Sequence, residues 1–97
     1  MQKKVVVFSQ IDSEILQRLE QQFKVVNINP KLGDVNQQIL EHSADADAMI
    51  GAGRLLNSKN LAHAKKLKVI SSVSVGYDNY DLSYLNQQKI WLTHTPH

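Results

Sequence analysis

Along the chain, short runs of consecutive apolar residues alternate with stretches in which apolar residues return every three or four positions. Val5-Val6-Val7-Phe8 is a continuous, mostly β-branched run, the pattern of a strand buried on both faces, and it predicts a strand over 4–8. Ile11, Ile15, Leu19 and Phe23 then recur every four residues, which places them along one side of a helix. Asp12 caps that helix, and Asp12 with Glu14 puts negative charge at its positive N-terminal end. A second β-branched segment over 23–28 is stopped by Asn29-Pro30. Gly33 breaks the chain, and Asp34 with Gln37 has the spacing of a capping box for a helix carrying Val35, Ile39 and Leu40. A third, short strand is expected over 47–50, ending at Gly51-Ala52-Gly53. A third helix, capped by Asn57 or Ser58, would turn Leu61 and Ala64 inward. A fourth strand follows over 69–73, then a fourth helix capped by Asp81 with Leu82 and Leu85 on its apolar side. The last strand is expected over 90–93.

This order, β-α-β-α-β-α-β-α-β in 97 residues, constrains the architecture. Strands separated by helices need crossover connections, so they pair in parallel, with right-handed crossovers and helices on both faces. The expected fold is α/β: a five-stranded, flavodoxin-like parallel sheet in one domain spanning 1–97. Ligands of such sheets bind beyond the carboxyl ends of the strands. That places Ser9-Gln10, Asn29-Pro30, 51–56 and 74–80 at the candidate site.

Composition narrows the chemistry. The chain has no cysteine, which removes disulfides, thiol nucleophiles and Cys-based metal sites. Its longest apolar run is four residues, far short of the roughly 20 of a membrane span. No signal-peptide pattern opens it, and a cytoplasmic protein is expected. The net charge of +2 comes without a basic stripe interleaved with aromatics. Lys65-Lys66-Leu67-Lys68 reads as a solvated helix end, and nucleic acid is not an expected partner.

Individual motifs exclude more than they establish. Gly51-Ala52-Gly53 follows the third strand, lacks a third glycine at Leu56 and has no acidic residue about 20 positions on, so it does not make a dinucleotide fingerprint. No Gly-Lys pair offers a P-loop. His42 and His63 fall on presumed helix surfaces. His94 and His97 are separated by Pro96 and lack a third ligand, so no metal site is expected. Phe8-Ser9-Gln10 and Ile50-Gly51 end the first and third strands without the aspartates of a phospho-acceptor receiver. The most informative stretch is Ser71-Ser72-Val73-Ser74-Val75-Gly76-Tyr77-Asp78-Asn79-Tyr80-Asp81. A glycine turn leaving a buried strand lets consecutive backbone N–H groups form an anion nest, although spacing alone favours a plain strand-to-helix loop.

At this loop the sequence resembles the D-isomer-specific 2-hydroxyacid dehydrogenases, in particular the glyoxylate/hydroxypyruvate and 2-ketogluconate reductase branch. The resemblance is carried by Leu67-Lys68-Val69-Ile70 through Gly76-Tyr77-Asp78-Asn79, by Asp81 and Leu85, and by the exit Leu92-Thr93-His94-Thr95-Pro96. Gly51-Ala52-Gly53-Arg54 is similar to the small-residue turn of that branch. The resemblance implies that residues 1–97 form the N-terminal part of a substrate-binding domain, with backbone amides at Val75 and Gly76 holding the carboxylate of a small 2-oxo or 2-hydroxy acid. Arg54 either lines that pocket or faces solvent. It implies an NAD(P)-dependent parent enzyme whose Rossmann domain, acid–base residues and returning C-terminal helix are absent from this chain. The chain alone is then expected to bind no cofactor, to carry no catalytic residue and to be inactive. With no returning helix to cover its apolar surface, it is expected to form homo-oligomers. The alternative is a freestanding, non-catalytic module that binds small carboxylates.

Overall fold

A computed structural model describes residues 3–9, 11–51, 56–72 and 81–94. Five strands form one parallel sheet: β1 (Lys4–Val7), β2 (Lys24–Asn27), β3 (Ala48–Gly51), β4 (Val69–Ser72) and β5 (Trp91–His94), in the order β2-β1-β3-β4-β5. Among the described residues three α-helices connect them: α1 (Ser13–Gln22), α2 (Val35–His42) and α3 (Leu82–Gln87). Short 3₁₀ turns lie at Pro30–Leu32 and Ser43–Asp45. The parallel α/β architecture expected from the apolar pattern is the one observed.

Register sorts the strands' side chains onto two unequal faces. Val5 pairs with Val25 and Ala48, Ala48 with Val69, and Val69 with Trp91. Because strand side chains alternate, this row and the row two residues on (Val7, Ile50, Ser71, Thr93) share one face. The opposite face carries Val26, Val6, Met49, Ile70 and Leu92. There the main core forms as Val6, Phe8, Met49 and Ile70 pack with Ile39 of α2, Leu56, Leu61, Leu67 and Leu85 of α3. Each fully buried side chain of this size contributes about 1.5–3 kcal/mol.

Among the described residues, the other face has α1 alone. Leu19 and Phe23 lie over Val5, and Val5 and Val7 are buried, but none of the ten residues of α1 is itself buried. Five strands span about 19 Å, and one helix about 10 Å wide cannot cover them. Ala48, Ile50, Val69 and Ser71 are only half-buried, and Trp91 is 76% exposed.

The helix starts follow local chemistry. Asp12, Asp34 and Asp81 accept from the backbone N–H groups of Glu14, Asn36 and Tyr84. Two local expectations are corrected. Gln37 does not complete a capping box: it donates to Glu41, and Gln38 bridges the loop instead. The Gln38 side chain accepts from the Asn29 N–H and donates to the carbonyls of Asn29 and Gly33. Residues 58–63 are successive turns rather than a third helix. Asn57 caps them, accepting from Lys59 and Asn60 N–H, but Asn60 folds back to accept from Asn57 N–H. Such side-chain bonds compete with helical ones. Leu61 is nonetheless buried and Ala64 packs on the core, as the periodicity required. Lys65, Lys66 and Lys68 are exposed, but they follow turns rather than a helix end.

Gly51 closes β3 where a side chain has no room. A Cβ there would lie 2.8 Å from Phe8 Cδ2 and from Ser9 Oγ. Gly51→Ala is expected to cost about 1–3 kcal/mol by overpacking, read as a lower urea midpoint. Phe8→Leu in the same chain should make the two costs less than additive, because both act on one contact.

Candidate functional site

The carboxyl ends of the parallel strands all open on one edge, and the described residues there are chiefly the anchors of two loops. Gly51 ends β3 and Ser72 ends β4, and the two are register partners. Both are buried. The segment 52–55 leaves from Gly51 and returns at Leu56, and the segment 73–80 leaves from Ser72 and returns at Asp81. The returns are joined as well: Asp81 N–H donates to the Leu56 carbonyl at 3.2 Å. Both segments therefore start from adjacent residues of neighbouring strands and end at one hydrogen bond.

Arg54, Val75 and Gly76, the residues expected to bind substrate, lie outside the described residues, as do Ala52 and Gly53. His97 also lies outside them, and of His94 only the backbone, at the end of β5, is described. His42 is half-buried at the end of α2, and His63 is exposed in a turn. Among the described residues no three His, Cys, Asp or Glu side chains gather as metal ligands, and no helix is long and apolar enough to cross a membrane.

The return anchor is braced by two residues, Asn60 and Tyr84, that the sequence pattern did not single out. Asn60 is 6% exposed and binds Asn57 N–H through Oδ1, while its Nδ2 donates to Asn36 Oδ1 of α2 at 3.4 Å. Tyr84 of α3 donates its hydroxyl to the Leu61 carbonyl. A buried asparagine among exposed polar neighbours gives no periodic signal. Only its spacing from Asn57 and the apolar Leu56 and Leu61 beside it marked the segment as packed.

At the opposite edge lie the carboxylates whose acidity is displaced. The backbone N–H of Lys4 donates to Asp47 Oδ2 at 2.9 Å, holding that carboxyl below its ordinary range, with Lys3, Lys66 and Lys68 adding attraction. The Lys4 ammonium donates to Asp45, lowering it likewise. A cavity of about 420 Å³ also reaches this edge, lined by Lys3, Val5, Leu19, Ala48, Val69 and Lys68 on the α1 side. It is the uncovered part of that sheet face, and it runs along the strands as far as Ile50 and Ser71.

Residues 5–97 match the family D-isomer specific 2-hydroxyacid dehydrogenase, catalytic domain. The chain belongs to that family. It is 36% identical over 96 residues to glyoxylate/hydroxypyruvate reductase B of Yersinia enterocolitica, an alignment covering 99% of this chain and 29% of the relative. Glyoxylate/hydroxypyruvate reductase B of Escherichia coli K12 is 34% identical over 99 residues, covering 99% of this chain and 30% of that protein. The chain thus spans about 30% of the length of the curated relatives it matches. Among solved structures, the PH0520 protein of Pyrococcus horikoshii superposes with a TM-score of 0.84 at 28% identity, covering 98% of this chain and 28% of that one. The Gly51–Ser72 and Leu56–Asp81 anchors lie at the edge where an α/β sheet binds ligands.

The displaced carboxylates generate an acid-stability prediction. Lower folded pKa values mean that Asp45 and Asp47 stabilise the fold above the ordinary carboxylate range and lose that contribution as pH falls through their folded values. Asp47→Asn should flatten the fall in stability below about pH 4, measured as urea midpoints across pH 2–7, and leave the shape of the curve above pH 6 unchanged.

Proposed function

We propose that these residues are the substrate-binding part of an NAD(P)-dependent oxidoreductase that interconverts a small 2-oxo acid and its D-2-hydroxy acid, of the glyoxylate or hydroxypyruvate type. The family match over residues 5–97 carries this reading. The chemistry asked of this part is positional. In the reading, the amides of Val75 and Gly76 hold the substrate carboxylate, and Arg54 stands at the neighbouring loop. Joined anchors at Gly51–Ser72 and Leu56–Asp81 support a shared pocket for the two loops. A carboxylate fixed on backbone donors leaves the adjacent carbonyl free and sets its orientation for reaction.

The described residues do not suit a nicotinamide dinucleotide. β1 ends at Phe8-Ser9 without the glycine turn of a dinucleotide fingerprint. In this reading the cofactor site and the acid–base residues belong to residues outside these 97, the protein works in the cytoplasm, and the chain associates with copies of itself.

Two measurements test the proposal. Residues 1–97 alone should give no saturable change in NADH or NADPH fluorescence and no reduction of glyoxylate; saturable binding would reassign the cofactor site to this chain. In the full-length enzyme, Gly76→Val should tilt the carboxylate donors and lower kcat/KM by on the order of 100-fold, the usual cost of one aimed donor. Val75→Ala keeps its amide and should cost far less. A folded Gly76→Val variant with parental kcat/KM would remove the carboxylate from this loop.

A further inference from the structure

The sheet order β2-β1-β3-β4-β5 has its topological switch between β1 and β3. The chain leaving β1 enters α1 on one face, whereas the chain leaving β3 returns through Leu56 and Leu61 in the core of the other. Exits that diverge in this way open a crevice between the two strand ends, and ligands of open α/β sheets bind in that crevice.

Ser9 stands at this crevice. Phe8 is buried and donates its N–H to the Ile50 carbonyl at 3.0 Å, and Ser9 follows it, half-buried, where the chain leaves the sheet. Its hydroxyl lies against Gly51: a Cβ on Gly51 would sit 2.8 Å from Ser9 Oγ. The missing side chain of Gly51 thus makes room for a hydroxyl that reaches from the end of β1 to the end of β3. The neighbouring exit, beyond β2, is turned in on itself. There Asn29 accepts from Lys31 N–H, and Gln38 closes the loop on Asn29 and Gly33.

Ser72, from which the segment 73–80 leaves, ends β4, and β3 separates it from β1. Two strand spacings put the ends of β1 and β4 about 9.5 Å apart. A hydrogen bond at each end of a ligand takes up about 2.9 Å, which leaves room between them for a three-carbon acid lying across the tip of β3. We propose that Ser9 is a specificity-determining residue, its hydroxyl hydrogen-bonding the hydroxyl on carbon 3 of a three-carbon 2-oxo acid and so favouring hydroxypyruvate over glyoxylate. This rests on the 2-oxo acid reading given above, and adds the group that meets the end of the substrate opposite its carboxylate. A serine hydroxyl both donates and accepts, so it pairs with a substrate hydroxyl in either sense. Glyoxylate has no carbon 3 and gains nothing from it.

Steady-state kinetics of the full-length enzyme with both acids, at saturating reduced cofactor, test the assignment. Ser9→Ala removes one oxygen from a half-buried position and should keep the parental circular dichroism. It should lower kcat/KM for hydroxypyruvate about 3–10-fold, the worth of one neutral hydrogen bond, and change kcat/KM for glyoxylate by less than about twofold. An equal fall on both acids would make Ser9 a packing support for Gly51 and overturn the proposal, as would an unchanged value for hydroxypyruvate. A parental enzyme that reduces glyoxylate but not hydroxypyruvate overturns it too, with the 2-oxo acid reading left standing. One that reduces neither acid overturns both.

Discussion

Parallel pairing of β1 with both β2 and β3 is the constraint on which the rest of the structure depends. Val5, Val6 and Val7 sit in the middle of that pairing and are all buried. Parallel neighbours cannot be joined by a tight hairpin, so every connection must leave the sheet, cross a face and return. The crossovers bring α2, the turns around Leu61, and α3 onto one face, where the main core forms. They also send every strand's carboxyl end to the same edge. Core and candidate site therefore follow from one geometric requirement.

That requirement is met unevenly. Among the described residues, one face is closed by several segments, whereas α1 crosses the other by itself, and none of its residues reaches full burial. Conformational entropy is still spent on ordering α1, so its hold on the sheet is weaker than that of α2, whose Ile39 is completely enclosed. The half-open face, the cavity beside α1 and the exposed Trp91 are three expressions of this imbalance. Polar groups are better settled. The three helix N-termini are capped by aspartates, and Lys4 ties the start of β1 to Asp47 just before β3. Ser43 Oγ is a buried side-chain atom without a hydrogen-bond partner.

At the ligand edge, the fold supplies rigidity more than chemistry. Gly51 and Ser72 start the two loops from adjacent, buried positions, and the bond from Asp81 to Leu56 ties their ends. Asn60 and Tyr84 reinforce the return side through hydrogen bonds that cross between elements. A site that acts through backbone amides needs this kind of support, because a backbone donor is aimed by the path of the chain and cannot be re-aimed by a side-chain rotamer.

Much of this was legible in the sequence. The run Val5-Val6-Val7-Phe8, the four-residue recurrence through α1 and the aspartates at 12, 34 and 81 determined the strands, helices and starts by local preference, and their alternation determined a parallel sheet. The segment 73–81 stood out through its own residues. Tertiary structure alone decided what depends on partners distant along the chain. Asn57 is a competent cap in isolation, yet its segment became turns because Asn60 folded back on it and also met Asn36 of α2. Gln37 had the spacing for a capping box, but Gln38 was the residue placed within reach of both Asn29 and Gly33. The pairing of Gly51 with Ser72 and the inequality of the two sheet faces have no counterpart in local pattern. Period and capping are set within a few residues, whereas register and coverage are set by which segments meet across the sheet.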